Sequence, residues 1–478
     1  RDNNIILNDI GIYLVFNSDN NTLINNTLNS NAGGSGEGVR IEASYNNTLK
    51  NNIINSNSQY GLSISSGNNN LVENNVLNGN GQDASGAGIS LFNSNANNLT
   101  NNTVEANLYS GIRLSNSKYN SLINNKAKLN TNNLYIESIS SSNNITGGLL
   151  NSSIGDSIIL FSGSVENIFT NIIIFNTSNS FYDIKLSDAG LNGTTFVDMP
   201  SIRNYSFAGI GSKIIVKDSN FGEIRFLQPV NGSGGNLTRD IRIGSNRAEV
   251  RSDLNLGLNR SANISLYGLS TIPYLKQVIF RNGVACASGL CNNLTSLNLT
   301  NVTFNVTSWT NYSIGNSFGL VDCGFLNETN SVYILENDIV TTGTCFNVTA
   351  NNVTLYGNGK KIDGDDGISD YGVSITTGFS NITITNLTII DFGRGVNIET
   401  GSDNDLIYNN SLDSTSQYGI FAIGSNNNLI LNNVFTRSGP TATINLQGNC
   451  NNWTISGNSL GLTGAGFRNV GSSNITIV

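Results

Sequence analysis

The stretch Gly61-Leu62-Ser63-Ile64-Ser65-Ser66-Gly67-Asn68-Asn69-Asn70-Leu71-Val72-Glu73-Asn74-Asn75-Val76-Leu77 recurs along the chain with altered letters. A Gly followed by alternating apolar and polar residues reads as a short strand, and the Ser/Asn/Gly cluster after it reads as a turn. The opening Gly falls at Gly11, Gly38, Gly61, Gly88 and Gly111, in steps of 27, 23, 27 and 23 residues. It returns at Gly372, Gly395, Gly419 and Gly466. The second Asn of the Asn-Asn pair keeps the same beat at Asn26, Asn52, Asn75, Asn102, Asn125, Asn410 and Asn433. A unit of about 23 residues with three short strands and three turns is one coil of a parallel β-helix. Equivalent residues then stack roughly 4.8 Å apart, so Leu62, Ile64, Val72 and Leu77 fill the interior and repeated Asn side chains hydrogen-bond up and down. A leucine-rich repeat shares the period range but needs a Leu-x-x-Leu-x-Leu unit, which is not seen.

The fold class expected is therefore all-β: a right-handed parallel β-helix with an intervening small antiparallel β-sandwich-like domain. Residues 1–227 read as coils, with longer Gly-rich turns at 31–37 and 80–87 accounting for the steps of 27. The period disappears over 228–313, where alternating segments such as Ala262-Asn263-Ile264-Ser265-Leu266-Tyr267 are separated by turn signals, as in a small sandwich. A second β-helix opens over 314–478.

Composition excludes several function classes. A formal charge of −8 without a Lys/Arg cluster argues against a nucleic-acid partner. No apolar run is long enough to span a membrane. Histidine is absent, which removes the Ser-His-Asp triad, His-based zinc sites and a haem proximal ligand together. Of five cysteines, Cys286 and Cys291 bracket a turn-like loop and could close a small disulfide. Cys323 and Cys345 lie about one coil apart and could bridge successive coils. The alternative is that all five are buried thiols; Cys450 has no evident partner and reads as a small buried apolar residue.

The run Cys323-Gly324, Thr344-Cys345-Phe346 and Asn352-Val353-Thr354-Leu355-Tyr356-Gly357-Asn358-Gly359-Lys360-Lys361-Ile362-Asp363-Gly364 resembles the opening of the parallel β-helix regions of archaeal surface proteins. Their coils are similar to those of NosD-type periplasmic copper-related proteins and of the group that includes pectate lyases. Phe304-Asn305-Val306-Thr307-Ser308-Trp309-Thr310-Asn311-Tyr312-Ser313-Ile314 likewise resembles the end of the sandwich-like module that alternates with such coils. The resemblance covers most of the chain and implies a fold, not an activity.

For chemistry, the one dense acidic cluster is Asp363, Asp365 and Asp366 beside Lys360 and Lys361. It could serve a carbohydrate lyase or hydrolase, or hold a structural calcium ion, but its spacing matches no EF-hand or nonapeptide loop, and a charged turn explains it. Copper handling fits poorly with no His, one Met and scattered Cys. Aromatic residues could form a sugar-binding stripe, although Tyr and Phe at ladder positions are more often core. The expectation is of a chain that is not an enzyme.

Sequons carry more information. Between residues 190 and 354, 14 of 23 Asn lie in Asn-x-Ser/Thr; elsewhere 13 of 63 do. The first group is Asn192, Asn204, Asn231, Asn236, Asn259, Asn263, Asn293, Asn298, Asn301, Asn305, Asn311, Asn327, Asn347 and Asn352. The excess marks them as glycan acceptors on an extracellular or cell-surface protein, against the plainer reading that Thr is there for strand propensity.

The functional expectation is a structural subunit, or repeat unit, of a glycosylated extracellular filament, sheath or surface layer. The alternatives are a secreted polysaccharide lyase or glycosidase and a sugar-binding adhesin. Joining Val478 to Arg1 gives a Gly466-to-Gly11 step of 23 residues, the internal period. The expected partner is thus another copy of the chain, stacked head to tail through a junction formed by Arg1, Ile5, Ile6, Ile475, Ile477 and Val478.

Overall fold

The computed structural model describes residues 2–478 except 82–85, 162, 189, 201, 208–211, 270–275, 288, 414 and 463. Arg1, one of the expected junction residues, lies outside the described residues.

The repeated stretch forms three strands, Tyr60–Ser65, Leu71–Glu73 and Val76–Asn78. Each pairs in parallel with its equivalent in the coils before and after. Leu62 is flanked by Val39 and Ile89, Val72 by Leu49 and Leu99, and Leu77 by Ile54 and Val104. All nine are buried, so each row removes branched aliphatic surface from water along the whole solenoid. Three sheets result: one of long strands that carry the Gly, and two of short strands. The glycine is needed because the coils approach closely there. A Cβ on Gly61 would sit 2.6 Å from the Gly88 carbonyl oxygen and 2.8 Å from Asn80 Nδ2.

The two Asn of each pair have different reasons. The first takes a left-handed backbone (Asn51, Asn74, Asn101 and Asn124, φ between 52 and 56°), a conformation Asn tolerates. The second is buried in a ladder. Asn75 Nδ2 donates to Asn102 Oδ1 (3.0 Å) and to the Leu49 carbonyl (2.9 Å), while Asn75 Oδ1 accepts from the backbone N–H and amide of Asn52 (both 2.9 Å). Two further Asn ladders run beside it, through Asn47, Asn70, Asn97 and Asn120, and through Asn57, Asn80, Asn107 and Asn130.

The chain divides into two compact units, residues 1–271 with 287–311, and residues 272–286 with 312–478. In the first, the short-strand sheet does not stop at its last parallel coil. Ile214–Asp218 pairs with Gly222–Phe226, and the sheet runs on antiparallel through Ala262–Leu266, Val302–Val306 and Cys291–Asn293. Of residues 228–313, the stretches 272–286 and 312–313 fall in the second unit and the remainder in the first. The second unit is again parallel coils, with one continuous core from Leu326 to Ile455. Cys323 and Cys345 form a disulfide at its start, their Cα atoms 4.6 Å apart on adjacent coils.

Candidate functional site

The outer face of the long-strand sheet of the first unit gathers charge and aromatic surface that is dispersed in sequence. Register places Tyr13, Arg40, Ser63, Ser90, Arg113 and Tyr135 in one row across six coils. Beside it run Glu37, Tyr60, Ala87 and Ser110 on one flank, and Glu42, Ser65, Phe92, Ser115 and Glu137 on the other. The inward residues of these strands are aliphatic, so alternation commits the row from Tyr13 to Tyr135 and the row from Glu42 to Glu137 to the outer face, whereas Glu37, Ala87 and Ser110, at the strand starts, are buried.

Two clusters stand on this face, separated by the small residues Ser63 and Ser90. In the first, the Arg40 guanidinium lies 2.9 Å from Glu42 Oε2 and 3.8 Å from Glu37 Oε1, and stacks over Tyr13 at 5.2 Å. Tyr13 donates its hydroxyl to Glu42, which holds the Glu42 carboxyl below its usual range. Glu37 behaves differently. Its side chain is 5% exposed, and Oε2 has no hydrogen-bond partner among the described residues. Burial pushes its carboxyl up to about 7, against the opposing pull of Arg40. In the second cluster, Arg113 Nε donates to Glu137 Oε1 at 2.8 Å and the guanidinium lies over Tyr109 at 5.8 Å. Tyr109, Tyr135 and Phe161 then follow one another on successive coils, their rings tilted and their centroids 5.4 and 5.6 Å apart. The face offers aromatic rings and two guanidinium groups, each paired with a glutamate.

The residues singled out from the sequence lie elsewhere. Asp363 pairs with Lys361 at 2.9 Å, and Asp365 accepts from the Gly367 N–H in its own turn. Among the described residues no group of three or more His, Cys, Asp or Glu side chains is placed to hold a metal ion. Cys286 and Cys291 are each disulfide-bonded, and Cys450 is a buried free thiol. None of the fourteen sequon Asn between 190 and 354 is buried, in contrast to the ladder Asn. Of the junction residues, Ile6, Ile477 and Val478 are 48%, 57% and 82% exposed, and Ile475 packs against the second core. Reading down coils aligned on their glycines, two residues past each one, would have found the row from Tyr13 to Arg113.

Solved structures that match the chain include an alginate lyase from Paenibacillus sp. (10% identity over 85% of this chain and 90% of that one, TM-score 0.22). The catalytic domain of a GH87 α-1,3-glucanase with nigerose matches at 12% identity over 99% of this chain and 62% of its own length, TM-score 0.27. The N-terminal fragment of the bacteriophage Phi29 gene product 12 matches at 13% identity over 96% and 66%, TM-score 0.22. At these scores none of them assigns a reaction. Enzymes nevertheless stand among the matches, and the expectation that this chain is not an enzyme is withdrawn on that finding. No curated protein matches the chain. Residues 1–87 and 34–204 match the family described as Periplasmic copper-binding protein (NosD). The donors for copper are not there: the chain has no His, its one Met is Met199, four of its five Cys are disulfide-bonded, and Cys450 is buried. The chain is an all-β parallel β-helix protein whose first 204 residues are similar to that periplasmic family.

Proposed function

We propose that the outer face of the long-strand sheet binds an extended carbohydrate chain outside the cytoplasm. One observation carries this reading: the row from Tyr13 to Tyr135 crosses six stacked coils in register, with an Arg, aromatic and Glu cluster at each end and the small residues Ser63 and Ser90 between. Sugar rings present C–H faces that stack on Tyr and Phe, and hydroxyl or carboxylate groups that Arg and Glu bind. An open stripe suits a polymer better than a small molecule, which needs enclosure. Retention on immobilised polysaccharides, acidic and neutral, tests the reading. Tyr135→Ala and Arg113→Ala should each weaken retention about tenfold, and indifference of both variants would remove it.

We further propose that the sequons between residues 190 and 354 carry N-linked glycans and that the chain serves in a surface layer or filament. The favouring observation is that all fourteen Asn are exposed or half-buried. Intact mass before and after enzymatic deglycosylation of native material decides the first point, and electron microscopy of the same material the second.

A further inference from the structure

The long-strand sheet of the second unit carries Tyr371–Ile375, Arg394–Ile398 and Tyr418–Ile423 on successive coils, followed by Ile444–Gln447 and Phe467–Val470. Val373, Val396 and Ile420 belong to the core, as do Ile375, Ile398 and Ala422 two positions on. Alternation puts the residues between them in an outer row, Ser374, Asn397, Phe421, Asn445 and Arg468. At the strand starts Tyr371, Arg394 and Tyr418 lie in register. The Arg394 side chain folds back onto this face. Its guanidinium lies over the Phe421 ring at 3.9 Å, with the Tyr371 and Tyr418 rings at 5.3 and 5.8 Å. Nη1 donates to Asn397 Oδ1 at 2.7 Å and Nε to Gln417 Oε1 at 3.4 Å.

Its partners set this arginine apart from Arg40 and Arg113, which are paired with glutamates. Arg394 is held by side-chain amides and rings, forms no ion pair among the described residues, and its Nη2 has no hydrogen-bond partner among them. No Asp or Glu stands in either row. Glu399, just past the second strand, accepts from the Thr377 N–H and hydroxyl, and Asp370, just before the first, turns towards Gly367 in its own turn. Amides and rings fix a guanidinium in place without cancelling its charge. A fixed cation with a free edge, beside two half-buried phenol rings, suits a ligand that presents a carboxylate and a C–H face together. We propose that Arg394, Tyr371 and Tyr418 bind a uronic acid residue of a polysaccharide, its carboxylate on Nη2 and its ring against a tyrosine. This site is on a different unit from the face proposed above and does not rest on that reading.

Calorimetric titration of the full chain carrying Arg113→Ala and Tyr135→Ala tests this, because binding to the first unit's face then stays out of the measurement. Trigalacturonate should bind saturably, and its methyl ester, which keeps the sugar rings and loses the charge, about tenfold more weakly. Arg394→Gln should reduce the acid to the level of the ester. Arg394→Lys, which keeps the charge but not the planar fork, should still bind the acid more tightly than the ester, and guards against a folding failure of the first variant. Tyr371→Ala should weaken acid and ester alike. Absence of saturable binding of the acid, equal binding of acid and ester, or acid binding undiminished in an Arg394→Gln chain with a normal melting curve overturns the proposal.

Discussion

Asn75 and Asp405 show what a single ladder position demands. The Asn75 side chain takes part in four bonds to the two neighbouring coils, so Asn75→Leu leaves several buried groups without partners. The expected cost is roughly 3 kcal/mol, the upper end for such orphaned groups, read from chemical unfolding. Asp405 occupies a similar position with the wrong chemistry. Its backbone N–H donates to Asn428 Oδ1 and its Oδ1 accepts from the Ile382 N–H, but Oδ2 is buried without a partner among the described residues. Burial, with Asp403 nearby, pushes its carboxyl up to about 8. An amide there could donate to a carbonyl one coil away, as Asn428 Nδ2 does to Ser402. Asp405→Asn should stabilise the protein by about 2–4 kcal/mol at pH 8.5 and by almost nothing at pH 4. Equal melting temperatures at the higher pH would show that Asp405 is not confined.

At the scale of the coil, spacing between neighbours is the controlling quantity. Gly61 sits where a Cβ would be 2.6 Å from a backbone carbonyl that parallel pairing holds in place. Gly61→Ala should cost about 2–3 kcal/mol, as overpacking in a close-packed interior does. The Cys323–Cys345 disulfide ties two adjacent coils and closes a loop with a sequence separation of 22. Replacing both cysteines by Ser should lower stability by about 2–4 kcal/mol, visible as an earlier unfolding transition of the second unit in hydrogen exchange.

For the whole molecule, two buried acids set the pH dependence. Glu37 and Asp405 both have carboxyls raised by burial, to about 7 and about 8. In each case the unfolded chain loses its proton at lower pH than the folded one, so the folded state holds more protons in between. Their contribution to stability is fully present below about pH 4 and is lost progressively up to about pH 8. The chain should therefore melt at a higher temperature at pH 5 than at pH 8.5, and Glu37→Gln with Asp405→Asn should flatten the profile. A profile that rises with pH in the native chain would place both carboxylates in water.

The sequence by itself determined the architecture, because a solenoid interior is a one-dimensional repeat. The Gly beat, the aliphatic positions such as Leu62 and Val72, and the second Asn of each pair are all local signals that recur at one period. Tertiary structure alone decided the rest. Asn70 and Asn80 look like any turn Asn until stacking brings each beneath the next in a ladder. The dense acidic run at Asp363 is a charged turn with its partners beside it. The face built from Tyr13, Glu37, Arg40, Arg113 and Tyr135 comes from residues tens of positions apart, and only the register of parallel coils makes them neighbours. The raised carboxyl of Glu37 follows from the same cause: burial is a property of the packed coils, and no letter in the chain records it.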